Sequence, residues 1–558
     1  MPGIAGVVGF RDEKTARQQV VAMIAAMTHD PSYEQGMIVD ADQAVCAGWT
    51  AHPKTYASTQ SGQRRGLGIS AAFCGEVYDV NGMPAAGDPP VCDLVPEGER
   101  FGPDHVRRLN GLFSGLVVDS VSGNAFLFCD RFPMERLYVY EEDGKVFFAS
   151  EIKSLLYIRP KLRELDETGV AQFLAFGCTF GEQTLFKSVR RLPGASIWHF
   201  RNGRTVSRAV YFEPAEWRDQ TLLSEPAFEE EFVSLFRKLV PRYVTGARNL
   251  GVSITGGLDT RMIMACMPRL EPSPPCYTYA GLTGETLDVR LGRRVATVCG
   301  LEHTAIPIGS DFLTDYQGYL DRTVYVTDGS AGPLGAHEIY YSRLARQHSL
   351  VRLTGNYGSE ILRSMSTFKP ARRPPGFLSV ANEDLLAAAR ISETGDESVT
   401  QSAFREIPWH LFGTLSACRS LQVFRTPYLD NELVRLACQA PESARNSPNA
   451  ALKLIQACDP RLARVPTARG VKAGDGKAIS MLKRVGTGLS FKLDYLDKEG
   501  LPGKLRAMDP VLDAMARLGL LGRHKFLPYR RWFRKELRPV LRRGLERARD
   551  GHLPWIDA

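Results

Sequence analysis

No Cys-x-x-Cys pair occurs in the chain, and its 11 cysteines are scattered and odd in number. This excludes zinc ribbons, thioredoxin-like redox motifs and a fully paired disulfide framework, and leaves reduced thiols in a cytoplasmic protein as the plain expectation. No run of about 18 apolar residues exists, so no membrane-spanning helix is predicted. The apolar start, Met1 to Phe10, lacks a basic leader and is ended by Arg11-Asp12-Glu13-Lys14, so it does not read as a signal peptide. Asn-x-Ser/Thr sequons are missing. So is the Gly-x4-Gly-Lys-Ser/Thr phosphate loop of kinases and GTPases: Gly470 to Gly476-Lys477-Ala478 has the wrong spacing and lacks the final hydroxyl. Excess charge is also scarce. The balance of 70 basic to 62 acidic residues gives +8 over 558 residues, which tolerates an anionic small substrate but names no partner.

Hydrophobic residues at 44% and charged residues at 24% exclude disorder, collagen and coiled coil as global descriptions. The length fits either three to four ordinary domains or two large ones. Up to about residue 212 the chain reads as strands and turns. Leu112 to Asp119 and Asn124 to Asp130 are apolar runs joined by a Ser-Gly turn, and Arg136 to Tyr140 with Val146 to Ala149 form a hairpin ladder around Glu141-Glu142-Asp143-Gly144. From about residue 225, short apolar strands alternate with helices, which predicts a parallel sheet of βαβ units. The change falls in the polar stretch 213–224. Residues 369–375 and 393–398 read as loops, and the basic last 60 residues as helices whose charge lies on a solvated face.

The sharpest local signal lies between Leu250 and Ala265. An apolar strand runs to Thr255, Gly256-Gly257 makes a turn, and a helix begins near Asp259 and stops before Pro268. Backbone N–H groups at such a turn and helix start cradle an anion. Ser253 and Thr255 add hydroxyls, and Asp259 can hold Mg²⁺ on a phosphate. The competing reading is an ordinary strand–turn–helix. The order that follows favours the nucleotide: strand Cys276 to Ala280, helix from Asp288 to Gly300, strand His303 to Ile308, strand Leu350 to Leu353, and a second glycine loop from Thr354 to Glu360. Ligands of such sheets bind beyond the carboxyl ends of the strands, where both loops sit.

With these pieces in place, the chain resembles the asparagine synthetase family over nearly its whole length. Thr255-Gly256-Gly257-Leu258-Asp259-Thr260 is similar to that family's Ser-Gly-Gly-x-Asp-Ser pyrophosphate loop, residues 354–360 to its second loop, and Pro427-Tyr428-Leu429-Asp430 to its Pro-Phe-Leu-Asp segment. Gly3-Ile4-Ala5-Gly6, Leu109 to Phe113, Asp130-Arg131-Phe132, Leu137-Tyr138 and Ala149 to Leu155 fall in the family's order. The resemblance implies two domains: an N-terminal-nucleophile-type two-sheet sandwich, residues 1–212, and a doubly wound parallel-sheet ATP-pyrophosphatase domain of the adenine nucleotide α-hydrolase-like kind, residues 225–558. It implies ATP and Mg²⁺, small-molecule carboxylate and amine substrates, a homodimer as the candidate assembly, and neither nucleic acid nor membrane as partner.

The resemblance also exposes departures. The family nucleophile, a cysteine at position two, is Pro2 here, with neither thiol nor hydroxyl. The family's oxyanion asparagine is Cys74, a far poorer donor. Two parts of a glutaminase site are thus missing. In the second domain Asn356 and Ser359 stand where the family has glutamate and aspartate, while Glu360 remains. The ATP-binding candidates are Ser253, Thr255, Gly256, Gly257, Leu258, Asp259, Thr260, Tyr279 (along the adenine), Thr354 and Gly355. Asp259 and Glu360 are the metal candidates. Lys472, before Arg469 and Lys477, is the candidate for neutralising the transition state, with Glu360 beside it as a catalytic candidate. Arg363 is either a phosphate contact or a helix-surface residue, and Asp288 a helix cap. The implied activity is adenylation of a carboxylate followed by attack of ammonia or an amine. A specialised amide- or lactam-forming ligase and a nucleotide-binding pseudoenzyme are the alternatives.

Overall fold

The computed structural model describes residues 1–64, 68–80, 83–84, 101–281, 285–366, 398–467, 492–497, 507–518, 521 and 527–550. Two antiparallel sheets are stacked in the first part of the chain. One runs, edge to edge, Arg190–Arg191, Tyr138–Glu142, Lys145–Ala149, Gly3–Val8, Val45–Ala51, Glu34–Asp40. The other runs Arg204–Val210, Ser196–Arg201, Asn124–Cys129, Leu109–Asp119, Ile69–Val80, Gly62–Arg64, with Met83–Pro84 paired to the fifth strand.

Alternation along each strand sorts the side chains into layers. Ile4 and Val8 point between the sheets and meet Leu116, Val118 and Leu127 from the other side. Ala5 and Val7 point the opposite way, onto helix Glu13–Met27 through Val20, Met23 and Ile24. The far face of the second sheet carries Phe73, Phe113 and Phe128. It packs into a core that continues through Phe228, Phe232 and Phe236 to Val252 and Met262 of the second part. Each such side chain, fully buried, contributes roughly 1.5–3 kcal/mol, so the two parts share one apolar core.

The second part is a five-stranded parallel sheet ordered His303–Ile306, Cys276–Tyr279, Leu250–Ser253, Val351–Thr354, Val423–Arg425. Chain order reverses direction at Leu250–Ser253: later strands go first to one side and then to the other. The crevice outside such a reversal is where open parallel sheets take ligands, and the two glycine loops leave from the two strands that flank it.

The basic C-terminal part differs from its expectation. Helix Arg538–Asp550 does carry exposed arginines, but Arg530 is buried, with Asp513 at 2.7 Å and Asp497 and Asp509 at 3.1 Å each. Three carboxylates and the packing of Trp532 draw that turn into the fold. Among the described residues no helix is long and apolar enough to cross a membrane, and the described cysteines are free thiols.

Candidate active site

Asp259 enters the crevice on the first turn of helix Leu258–Cys266, whose N-cap is Gly257. Sequence places it there because Val252 and Ile254 are fully buried while the two glycines let the chain turn sharply into the helix. The second loop presses against it. A Cβ on Gly355 would lie 2.6 Å from the Thr260 amide nitrogen, and one on Gly358 would lie 2.6 Å from the Asp259 carboxyl carbon. Both positions require glycine for close approach, not for an unusual φ.

The Asp259 carboxylate is held by the other loop. Its Oδ1 accepts from Arg363 Nη2 at 2.6 Å, and its Oδ2 accepts from the Ser359 hydroxyl at 3.1 Å; Arg363 Nη2 also donates to Ser359 at 2.8 Å. Arg363 Nη1 is buried with no acceptor among the described residues. Glu360 sits beside this group. Burial, and then the neighbouring carboxylates of Asp259 and Glu406, push its carboxyl up to about 7. Tyr428, in the Pro427–Leu429 turn, donates its hydroxyl to the Asp259 carbonyl at 2.7 Å and pins the start of the helix.

The remaining candidates divide. Thr255 Oγ1 accepts from Gly257 N–H at 3.3 Å, and Gly256 N–H donates to Asp288 Oδ1 at 3.0 Å. Asp288 therefore braces the loop, while Thr286 caps its helix by accepting from Val289 N–H. Ser253 turns into the sheet, where it accepts from Arg352 Nε at 3.1 Å. Thr354, fully buried, bonds Asn356 and shapes the second loop. Tyr279 stacks on Tyr341 with ring centroids 4.5 Å apart and has the Arg352 guanidinium 4.9 Å from its centroid. Arg469, Lys472 and Lys477 lie outside the described residues. The segment leading to them is anchored, however: buried Arg261 donates to the carbonyls of Val465, Pro466 and Gly256 at 2.5, 2.9 and 3.3 Å. Sequence reading passed over Arg261 and Arg352. The signal was there for Arg261, the one basic residue of the otherwise largely apolar helix Leu258–Cys266.

The donor set fits a hard divalent cation held jointly with a phosphate: the Asp259 carboxylate raises the proton affinity of Glu360, and a cation joining the two would relieve that repulsion.

The other departure site lies between the two parts. Pro2 and Cys74 line a cavity of about 50 Å³ together with Glu135 and Arg419. The Cys74 thiol donates to Glu135 Oε2 at 3.1 Å, and burial pushes it up to about 11. Arg419, from helix Phe412–Arg419, pairs with Glu135 and donates to the Met134 carbonyl. Beside them Arg425 grips Glu76 through two bonds of 2.7 Å.

Comparison with known proteins agrees with this architecture. Residues 93–212 match the glutamine amidotransferase domain family and residues 231–458 the asparagine synthase family. A putative asparagine synthetase [glutamine-hydrolyzing] 2 of Methanocaldococcus jannaschii is 20% identical over 317 residues, 55% of this chain and 61% of that protein. Asparagine synthetase [glutamine-hydrolyzing] 1 of Bacillus subtilis is 23% identical over 284 residues, 49% of this chain and 43% of that one. The chain thus spans about half the length of the curated relatives it matches. Fold and matches define an amidotransferase-type domain joined to an asparagine synthase domain. Residues 93–212 and 231–458 thus carry, in one chain, the two domain types that the asparagine synthetase relatives suggest.

Proposed function

We propose that the chain is an ATP-dependent carbon–nitrogen ligase that adenylates a carboxylate, releases pyrophosphate, and passes the acyl group to ammonia or an amine with release of AMP. One observation carries this reading: the Asp259 carboxylate stands at the carboxyl end of the central parallel strand, closed in by a second glycine loop that brings Glu360 beside it. Asp259 and Glu360 would hold Mg²⁺, which supplies charge neutralisation on the phosphates. Helix Leu258–Cys266 turns its positive end toward them. The chain's own residues do the rest: the carboxylates would fix where that cation sits, and the glycine loops let backbone N–H groups approach the phosphates closely. Lys472, tethered six residues beyond Pro466, is proposed to reach the leaving pyrophosphate.

The nitrogen does not come from glutamine in this reading. Pro2 offers no nucleophile, and the position that would steady an oxyanion is a thiol already donated to Glu135. This supports the variant in which an amine substrate enters directly, as in a specialised amide-forming ligase. The eroded positions Asn356 and Ser359 are the argument for a pseudoenzyme, against which stands the intact Asp259 loop. Pyrophosphate release and ATP–pyrophosphate exchange across a panel of amino acids and other small carboxylic acids test the proposal: exchange with at least one acid supports it, and ADP formation overturns it.

A further inference from the structure

Arg363 is tied into the candidate site more tightly than a helix-surface residue would be. Its Nη2 serves Asp259 and Ser359 together, and its Nη1 is buried without an acceptor among the described residues. A buried guanidinium N–H left unpaired costs on the order of a hydrogen bond, and this one belongs to the same side chain that holds the Asp259 carboxylate. The side chain at 359 is a neutral hydroxyl that leans on Asp259 from one side and on Arg363 from the other. Among the described residues no three His, Cys, Asp or Glu side chains cluster to hold a metal unaided. Positive charge near Asp259 is already part of the chain.

We propose that Arg363 is a built-in cation of the pyrophosphate site: it orients Asp259 from one side, donates its free Nη1 to a phosphoryl oxygen, and leaves room for a single divalent ion on Asp259 and Glu360. The inference rests on the ATP-ligase reading above. A fixed guanidinium gives a phosphoryl oxygen a charge-assisted hydrogen bond through its remaining nitrogen and does not dissociate with falling magnesium. The site therefore keeps part of its grip on a triphosphate without any metal.

Two measurements on the full chain decide it. The first is electron paramagnetic resonance titration of Mn²⁺ in the presence of a saturating non-hydrolysable ATP analogue with a methylene bridge between the α- and β-phosphates. The expected result is one bound Mn²⁺ per chain; two would overturn the proposal while leaving the ligase reading intact, and no binding of analogue or metal would overturn both. The second is the affinity of the same analogue in EDTA. Arg363→Gln is expected to weaken it about ten-fold or more, with Arg363→Lys recovering part of the loss. Equal metal-free affinity in wild type and Arg363→Gln would overturn the proposal. If the glutamine variant does not fold, the wild-type Mn²⁺ stoichiometry still decides.

Discussion

Arg261 Nη1 donates to the Val465 carbonyl at 2.5 Å, joining the glycine loop to a segment 204 residues further along the chain. The same guanidinium reaches Gly256 and Pro466. Among the described residues no carboxylate partners it, and burial lowers its proton affinity to about 10, still protonated at neutral pH. It is a structural cation whose acceptors are all carbonyls. Arg261→Ala leaves those carbonyls bare inside the fold and is expected to cost about 2–4 kcal/mol. Affinity for an ATP analogue should fall as well, because the loop is released. Arg261→Lys should recover part of the stability. Denaturant unfolding and calorimetric titration check both; an alanine variant with unchanged stability contradicts the assignment.

The boundary between the two parts is fastened by buried charge. Arg425 and Glu76 are 12% and 9% exposed and share two bonds. Removing one member of such a pair strands the other, at a cost of about 3–5 kcal/mol, whereas removing both costs much less. Glu76→Gln should therefore destabilise the chain more than Glu76→Gln with Arg425→Met. Unfolding curves of the single and double variants decide, and an additive double variant would place the pair's energy elsewhere.

Glutamine should yield no glutamate above background, with or without ATP. Pro2→Cys alone should not restore hydrolysis, because Cys74 donates its S–H hydrogen bond to Glu135 and stands where an amide donor would be needed. Steady glutamate release by the wild type would sink this part of the account.

Glu360 predicts a pH dependence. Its carboxyl is pushed up to about 7, above the unfolded value of 4.5, so the folded chain holds a proton there that the unfolded chain has lost. That contribution to stability is fully present below about pH 4.5 and disappears as pH rises through 7. A divalent ion on Glu360 must displace the same proton. Mn²⁺ affinity, in the presence of the ATP analogue, should therefore rise between pH 6 and pH 8, levelling off once Glu360 is ionised. Glu360→Gln should bind more weakly and flatten the profile. A profile that is unchanged by the substitution would remove Glu360 from the metal site.

Much of this was legible from residue order alone. The apolar runs around Leu250, Cys276 and Val351, each ending near glycine or a small polar residue, announce parallel strands. Asp259 stands out because a carboxylate follows two glycines at a helix start. What sequence could not convey is which distant side chains fill the hydrogen-bonding needs so created. Asp288 reads as a cap by its position, yet Thr286 takes that role and Asp288 reaches back 32 residues to the Gly256 amide. Arg530 sits in a basic run that looks solvated, and only folding brings three aspartates to it. Ser253, a natural phosphate donor by type, is turned into the sheet by Arg352 from the neighbouring strand. Local pattern specifies elements; the long-range pairs that give a polar side chain its role depend on topology.

The central claim is that Asp259, closed in by the second loop, makes this a pyrophosphate-releasing site. ATP–pyrophosphate exchange, run with radiolabelled pyrophosphate over a panel of carboxylic acids, tests it most directly. The account predicts acid-dependent label in ATP for the wild type, AMP as the nucleotide product once an amine is added, and loss of at least about a hundred-fold in exchange for Asp259→Ala, the scale of removing a preorganised charge-stabilising group. Exchange that is unchanged in Asp259→Ala, or ADP and phosphate as the products, would contradict it.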